Sequence, residues 1–273
     1  MRKKRTAQRT LRRVVTIEGY GLSSGLPSTV SILPSGANTG ISFMTPKGII
    51  GADLSCLGDS SSSTILERGE CKIDTVEHLL SCLYGLFIDN VTIRVSGGEI
   101  PIGDGSARIF YDAINEVGIK EIKDSMRVTV PITERVVING KNKSISVNPS
   151  SSLPPNKLTI KYSLDWHPVI KNEYTYVHTA ESYKDIAFAR TFAQSSHIKN
   201  LRRRNGAKGV KVGKNCINID NKTAEKSDEY VRHKILDLLG DLCLMHGLHI
   251  EGSIIAVNAG HKLHYELVKG ILE

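Results

Sequence analysis

The strongest constraint on how this chain can fold is an order of elements that occurs twice. In the first half, Val76, Leu79, Leu80, Leu83, Leu86 and Phe87 recur at helical spacing. Asp74-Thr-Val-Glu77 stands before them with capping-box spacing, so a helix is expected from there to about Phe87. A strand-like stretch over 90–96 and a second helix over 106–117 follow. The second half repeats this: a helix over about 228–246, a strand over 250–258, and a closing helix over 262–272. Each set is preceded by strand-like segments. Residues 12–45 read as short antiparallel strands, and 127–179 contain further strands over 127–131, 144–147, 157–164 and 174–178. The expectation is an α+β chain of two related units, with a boundary where Ile119-Lys-Glu-Ile-Lys-Asp-Ser125 interrupts the apolar pattern. The units are taken as residues 1–122 and 123–273, with a basic insert over about 193–219.

At 273 residues and 40% hydrophobic, such a chain can bury a sizeable core. It has no apolar run of the ~18 residues a membrane helix needs. Its basic first residues lead into no apolar signal region, so no secretory leader is expected. Five cysteines without CxxC spacing suggest reduced thiols and a cytoplasmic setting. The net charge of +8 is concentrated in two acid-free stretches of seven cations each, residues 1–13 and 199–214; without them the remainder carries −6. Patches of this kind suit phosphate-bearing ligands, anionic lipid surfaces or nucleic acid, or are simply solvated. With 5% aromatic residues and no stacking motif, no nucleic-acid partner is expected.

Three pieces carry chemistry. In Val231–Asp241, His233, Asp237 and Asp241 recur every four residues along one helix face, with Lys234 beside them and an apolar face opposite. That face is either a solvated His–Asp array or part of a metal site, since His233 and Asp237 can offer one nitrogen and one oxygen to a single ion. Glu77-His78 lies on the first helix. Glu77 either closes a capping box beside a partly exposed His78, or both serve a site; Ser81, Cys82 and Gly85 on the same side permit close approach of another element. His261 follows Gly260 at a strand-to-helix turn, as an active-site group or a helix cap. Together these supply His, His and Asp for an ion, an adjacent carboxylate and an unassigned acid or base. That is the open arrangement of hydrolytic zinc sites, without the HExxH metalloprotease order.

With QRTL (8–11), GYGLSSG (19–25), NTGISF (38–43), TVEHLLS (75–81), GLFIDN (85–90), EIPIGDGSA (99–107), ARTFA (189–193), VRHKILDLLGDL (231–242) and AGHKL (259–263), the chain resembles the UDP-3-O-acyl-N-acetylglucosamine deacetylases of lipid A synthesis. The resemblance implies a two-domain sandwich, each domain a β-sheet packed on a helix pair, with the helices in the middle layers and the site between domains. It implies that His78, His233 and Asp237 bind one Zn2+, for which Fe2+ could substitute, and that a water activated there attacks the acetamide carbonyl. It further implies Glu77 as general base and His261 as a cationic acid that stabilises the oxyanion and protonates the leaving amine. Asp241 would orient His261, Thr191 would help hold the oxyanion, Phe192 would contact the sugar ring, and Lys234 would attract the sugar-nucleotide side. The implied partner is an acylated UDP-amino sugar. Beside it, the acid-free charge of 199–214 suggests that this cluster faces either the diphosphate or an anionic membrane surface, with the chain expected as a cytoplasmic monomer, peripheral to the inner membrane in the second case.

The chain departs from the family pattern at several places. Ser23 stands where a histidine is usual, residues 60–63 are all serine, Gly103 replaces a bulkier residue, and Gly213 falls where an acid is usual. The segment after Thr191-Phe192, which in the family forms an apolar passage for the acyl chain, is here strongly basic. Two other readings follow: the same metal amidase chemistry on a non-acylated amino-sugar nucleotide, or a metal-binding descendant without turnover.

Overall fold

The computed structural model describes residues 6–59, 62–149, 157–166, 170–220 and 228–273. The basic residues Arg2 to Arg5 and Ser60 and Ser61 of the serine run lie outside the described residues. Two sheets form the outer layers. The first holds Val15–Tyr20, Pro27–Pro34, Val91–Val95, Ile41–Thr45 and Gly48–Gly51, in that order. The second runs Val136–Gly140, Lys143–Asn148, His249–Val257, Leu158–Trp166 and Ile170–Val177, with Thr129–Pro131 beside the start of His249–Val257. The two orders are the same. In each sheet a hairpin comes first, and a later strand enters the centre, antiparallel to one neighbour and parallel to the other. The repeat inferred from the element order is therefore present in the topology. The expectation of purely antiparallel strands over 12–45 is corrected, because Ile41–Thr45 pairs in parallel with Val91–Val95.

The helices are α1 (Glu77–Gly85), α2 (Arg108–Val117), α3 (Lys184–Ala187), α4 (Ser195–Arg203), α5 (Glu229–Leu242) and α6 (His261–Leu272). Each central strand follows a long helix because a parallel neighbour requires a crossover connection. The inner sheet faces carry Val30, Ile32, Phe43, Ile93, Ile145, Ile160 and Ile254, all buried against the helices. Helix α2 packs near Val15–Tyr20, α6 lies on Val136–Gly140 and Lys143–Asn148, and α1 meets α5 between them. All nine residues of α1 are buried, as expected for a helix in a middle layer. Two glycines permit the approach: a Cβ on Gly240 would run into the Glu77 carbonyl, and one on Gly85 into the Tyr183 ring. The Tyr183 hydroxyl is 3.1 Å from Ser81, so the small-residue side of α1 does receive another element.

The capping-box expectation is corrected, and of the two readings of His78 the partly exposed one does not hold. Helix α1 begins at Glu77 with no side-chain cap. Asp74 instead accepts from Ser63 at 2.6 Å, while Thr75 takes φ +59°, which frees Glu77 to turn inward. His78 is 4% exposed, not half-solvated. The segment after Gly118 holds a short strand, Ile119–Glu121, which pairs antiparallel with Arg9–Leu11. All five cysteines are free and buried, and no helix among the described residues is long and apolar enough to cross a membrane.

Candidate active site

The first turn of α1 points at the middle of α5, because Gly240 lets the two backbones touch. His78 and His233 thereby come edge to face, with ring centroids 5.1 Å apart. Asp237 Oδ1 lies 3.4 Å from His233 Nε2 and 3.9 Å from His78 Nε2. One ligand atom from each of the three falls within 4.8 Å of the others. His233 and Asp237 are each 3% exposed, so the solvated-face alternative for α5 does not hold. Burial drives both imidazoles toward their neutral forms, that of His78 down to about 3. Burial alone would raise Asp237, but Lys234, His233, His261 and His78 outweigh it and hold the carboxyl well below its ordinary value. Two neutral imidazoles and an ionised carboxylate, aimed at one point, are a donor set that fits a divalent cation.

The acid–base groups flank this cluster. Glu77 accepts the Thr64 N–H at 2.9 Å, and burial pushes its carboxyl up to about 8, with cationic His261 pulling the other way. Asp241 lies behind the cleft, wholly buried, and one of its oxygens receives both His261 Nδ1–H at 2.8 Å and His264 Nδ1–H at 2.7 Å. Its other oxygen accepts the Thr64 hydroxyl at 2.6 Å. Burial would lower His261, yet the charge and hydrogen bond of Asp241, with Asp237 and Glu77, raise it to about 9. A carboxyl with a raised pKa and a cationic imidazole therefore face each other across the cluster, the pairing that general base and general acid roles require.

The cleft holds about 550 Å³ of open space, and Glu77, His78, Thr191, Phe192, His233, Lys234, Asp237 and His261 all line it. Thr191 is held from below, its N–H donating to Gly105 O at 2.7 Å. Gly105 has φ +89°, and a Cβ there would meet the Asn215 carbonyl, so the GDGS turn can approach only as glycine. Phe192 forms an aromatic wall with Trp166 and Tyr230, at centroid distances of 5.6 and 4.9 Å. The Lys234 ammonium bonds Asp237 Oδ2 at 2.6 Å.

Sequence reasoning missed several members. Thr64 touches Glu77, Asp241 and Tyr265, and nothing in its sequence neighbourhood marks it. Trp166, Leu22, Ser62, Ser63 and Thr75 also line the cleft. His264 and Tyr265 were detectable in principle, standing three and four residues after His261 on one helix face.

A family model for UDP-3-O-acyl N-acetylglycosamine deacetylase matches residues 8–273. A UDP-3-O-acyl-N-acetylglucosamine deacetylase of Coxiella burnetii is 36% identical over 279 residues, covering 97% of this chain and 90% of its own length. Enzymes of the same name from Helicobacter pylori and Pseudomonas entomophila are 35% and 34% identical, each over 97% of this chain and 91% and 90% of their own lengths.

Proposed function

This chain belongs to the UDP-3-O-acyl N-acetylglycosamine deacetylase family, and from that premise we propose that it hydrolyses the N-acetyl group of UDP-3-O-acyl-N-acetylglucosamine in lipid A biosynthesis, releasing acetate. The observation that carries the reading is the convergence of His78, His233 and Asp237 beside an oppositely poised Glu77 and His261.

His78, His233 and Asp237 would hold one divalent cation, Zn2+ in this reading with Fe2+ as the substitute. When bound, the ion supplies Lewis-acid polarisation and acidifies water. Glu77 takes the proton of the attacking water; the positive charge of His261 already favours its ionised form, and a cation on the three ligands adds to that pull. Cationic His261 faces the oxygen that gains charge and then gives its proton to the departing nitrogen. Asp241 keeps that imidazole charged and correctly turned, with its Nε2 on the side of Asp237, 3.9 Å from Oδ2. The Thr191 hydroxyl donates to the developing oxyanion, Phe192 packs against the sugar, and Lys234 attracts the sugar-nucleotide side of the substrate. Residues 1–122 and 123–273 serve as the two domains, each contributing one sheet. The protein works in the cytoplasm as a monomer, against the anionic face of the inner membrane.

Acetate release from the acylated UDP sugar, with and without a chelator, tests this directly. Loss on chelation and recovery with Zn2+ are expected. Full activity in Glu77→Ala, or in chelated protein, refutes the assignment. Running the non-acylated nucleotide in parallel separates the substrate reading from the same chemistry on a smaller sugar, a reading motivated by the basic insert.

A further inference from the structure

Beside the cleft mouth, loop 21–25 and the basic segment form one unit. Lys208 N–H donates to Ser23 O at 2.9 Å and Gly209 N–H to Leu22 O at 3.0 Å. A Cβ on Gly209 would strike the Gly21 carbonyl, so the two backbones are in contact. Leu22 packs on the small core of Ile198, Ala207, Val210 and Cys216 while lining the cleft. The loop is anchored, since buried Glu99 accepts the N–H groups of Ser23 at 2.6 Å and Ser24 at 2.8 Å.

The outer side of this unit is unusual. Leu26 is 66% exposed, Tyr20 59% and Val212 48%, three of the more exposed large apolar side chains among the described residues. Gly21 N–H bonds Leu26 O, so Tyr20 and Leu26 flank one tight loop, and Lys211, next to Val212 in the chain, brings its Nζ to 5.8 Å from the Tyr20 ring. Seven Lys and Arg side chains between 199 and 214 are exposed, with no acid in that segment, and Lys208 and Lys211 lie directly against the loop. Glu18, two residues behind Tyr20 on the same strand face, is the acid on that strand. Apolar tips inside a cationic collar match the interfacial zone of an anionic bilayer, where acyl chains accept the former and headgroups the latter.

We propose that Tyr20, Leu26 and Val212, with the cations of 199–214, dock this protein on an anionic phospholipid surface and set the cleft mouth at the interface. The proposal rests on the deacetylase reading for its purpose, since a fatty chain on the substrate gives it affinity for such a surface, though not for its chemistry. Charge complementarity selects an anionic bilayer over a neutral one.

Co-sedimentation of the full chain with phosphatidylglycerol–phosphatidylcholine vesicles tests it, with pure phosphatidylcholine vesicles as reference. The wild type is expected to sediment with the anionic vesicles and to be released by salt. The variants Tyr20→Ser/Leu26→Ser/Val212→Ser and Lys208→Gln/Lys211→Gln/Lys214→Gln should each lower partitioning at least about tenfold. Both should turn over a short-chain, water-soluble acylated substrate at the wild-type rate. Wild type that stays in the supernatant overturns the proposal, as do variants that sediment like wild type. Vesicle binding that follows the variants without turnover by any protein upholds the surface and overturns the deacetylase reading instead.

Discussion

Replacing Asp241 by Asn isolates the charge on which the acid role of His261 depends. Both Nδ1–H groups bond the same oxygen, at 2.8 Å from His261 and 2.7 Å from His264, and the other oxygen meets a rotatable hydroxyl on Thr64. An amide can present its oxygen to the two imidazoles and its NH2 to Thr64, so the geometry survives while the charge is lost. Carrying His261 from its ordinary 6.5 to about 9 corresponds to ~3 kcal/mol of preference for the charged form. Asp241 is the largest contributor opposing burial, so the variant's imidazole should fall to about 6.5 or below. At pH 7.5 the charged fraction then drops from nearly all to about a tenth. The expected fall in kcat/KM is between about tenfold, from occupancy alone, and about 300-fold, if the full preference is lost in the transition state. The sign is definite: the alkaline limb of the pH profile moves to lower pH, because the acid now loses its proton earlier. A cation on His78, His233 and Asp237 lowers His261 in both proteins, so the separation between the two limbs is the quantity to compare. Acetate release from pH 5.5 to 10, with metal content measured in both proteins, provides the assay. Coincident alkaline limbs would refute the role given to Asp241.

Glu77→Gln keeps an acceptor for the Thr64 N–H at 2.9 Å but cannot take a proton, so acetate release should fall at least ~100-fold with metal content unchanged. Gly240→Ala forces a methyl into the Glu77 carbonyl; urea unfolding should show a loss of about 1–3 kcal/mol, and activity should fall further because the first turn of α1 carries both Glu77 and His78. Arg127 bonds both carboxylate oxygens of Asp89 in a nearly dry setting, at 2.8 and 2.7 Å, so Arg127→Leu should cost about 3–5 kcal/mol by the same measurement. His178 and His249 are buried away from the cleft against Tyr84 and Phe87, and burial lowers both, His178 to about 3. Each therefore binds a proton only on unfolding once the pH is below about 6.5, which removes ~2 kcal/mol per histidine at pH 5; urea midpoints at pH 7.5 and 5 should diverge, and His178→Gln should narrow the gap.

The sequence disclosed what short-range periodicity can carry. The 3.6-residue spacing in 76–87 and 231–242 locates α1 and α5 to within a few residues, and the duplicated order anticipates two sheets of one topology. It did not disclose pairings that join distant segments. The parallel contact of Ile41–Thr45 with Val91–Val95 leaves no local trace, and neither does Thr64, which reaches Asp241 from the far side of the fold. The capping-box reading of Asp74 and Glu77 failed for the opposite reason. Local propensity favoured a cap, but the buried space between α1 and α5 offered the Glu77 carboxylate the Thr64 amide instead. Sequence rules misjudge a residue where tertiary demand outweighs local preference.

That failure also locates the site. A helix of nine buried residues would ordinarily spend every side chain on packing, yet α1 places a carboxylate and an imidazole in its first turn, among groups that desolvation penalises. Those two become tolerable only because α5 brings Asp237, and Asp241 through His261, to within a few ångströms. The halves of the chain are thus incomplete electrostatically as well as in their packing. His261 and Asp237 owe their charged states chiefly to Asp241, Lys234 and His233 on α5, whereas burial at the α1–α5 contact, which the glycine at 240 permits, keeps His78 neutral and raises Glu77.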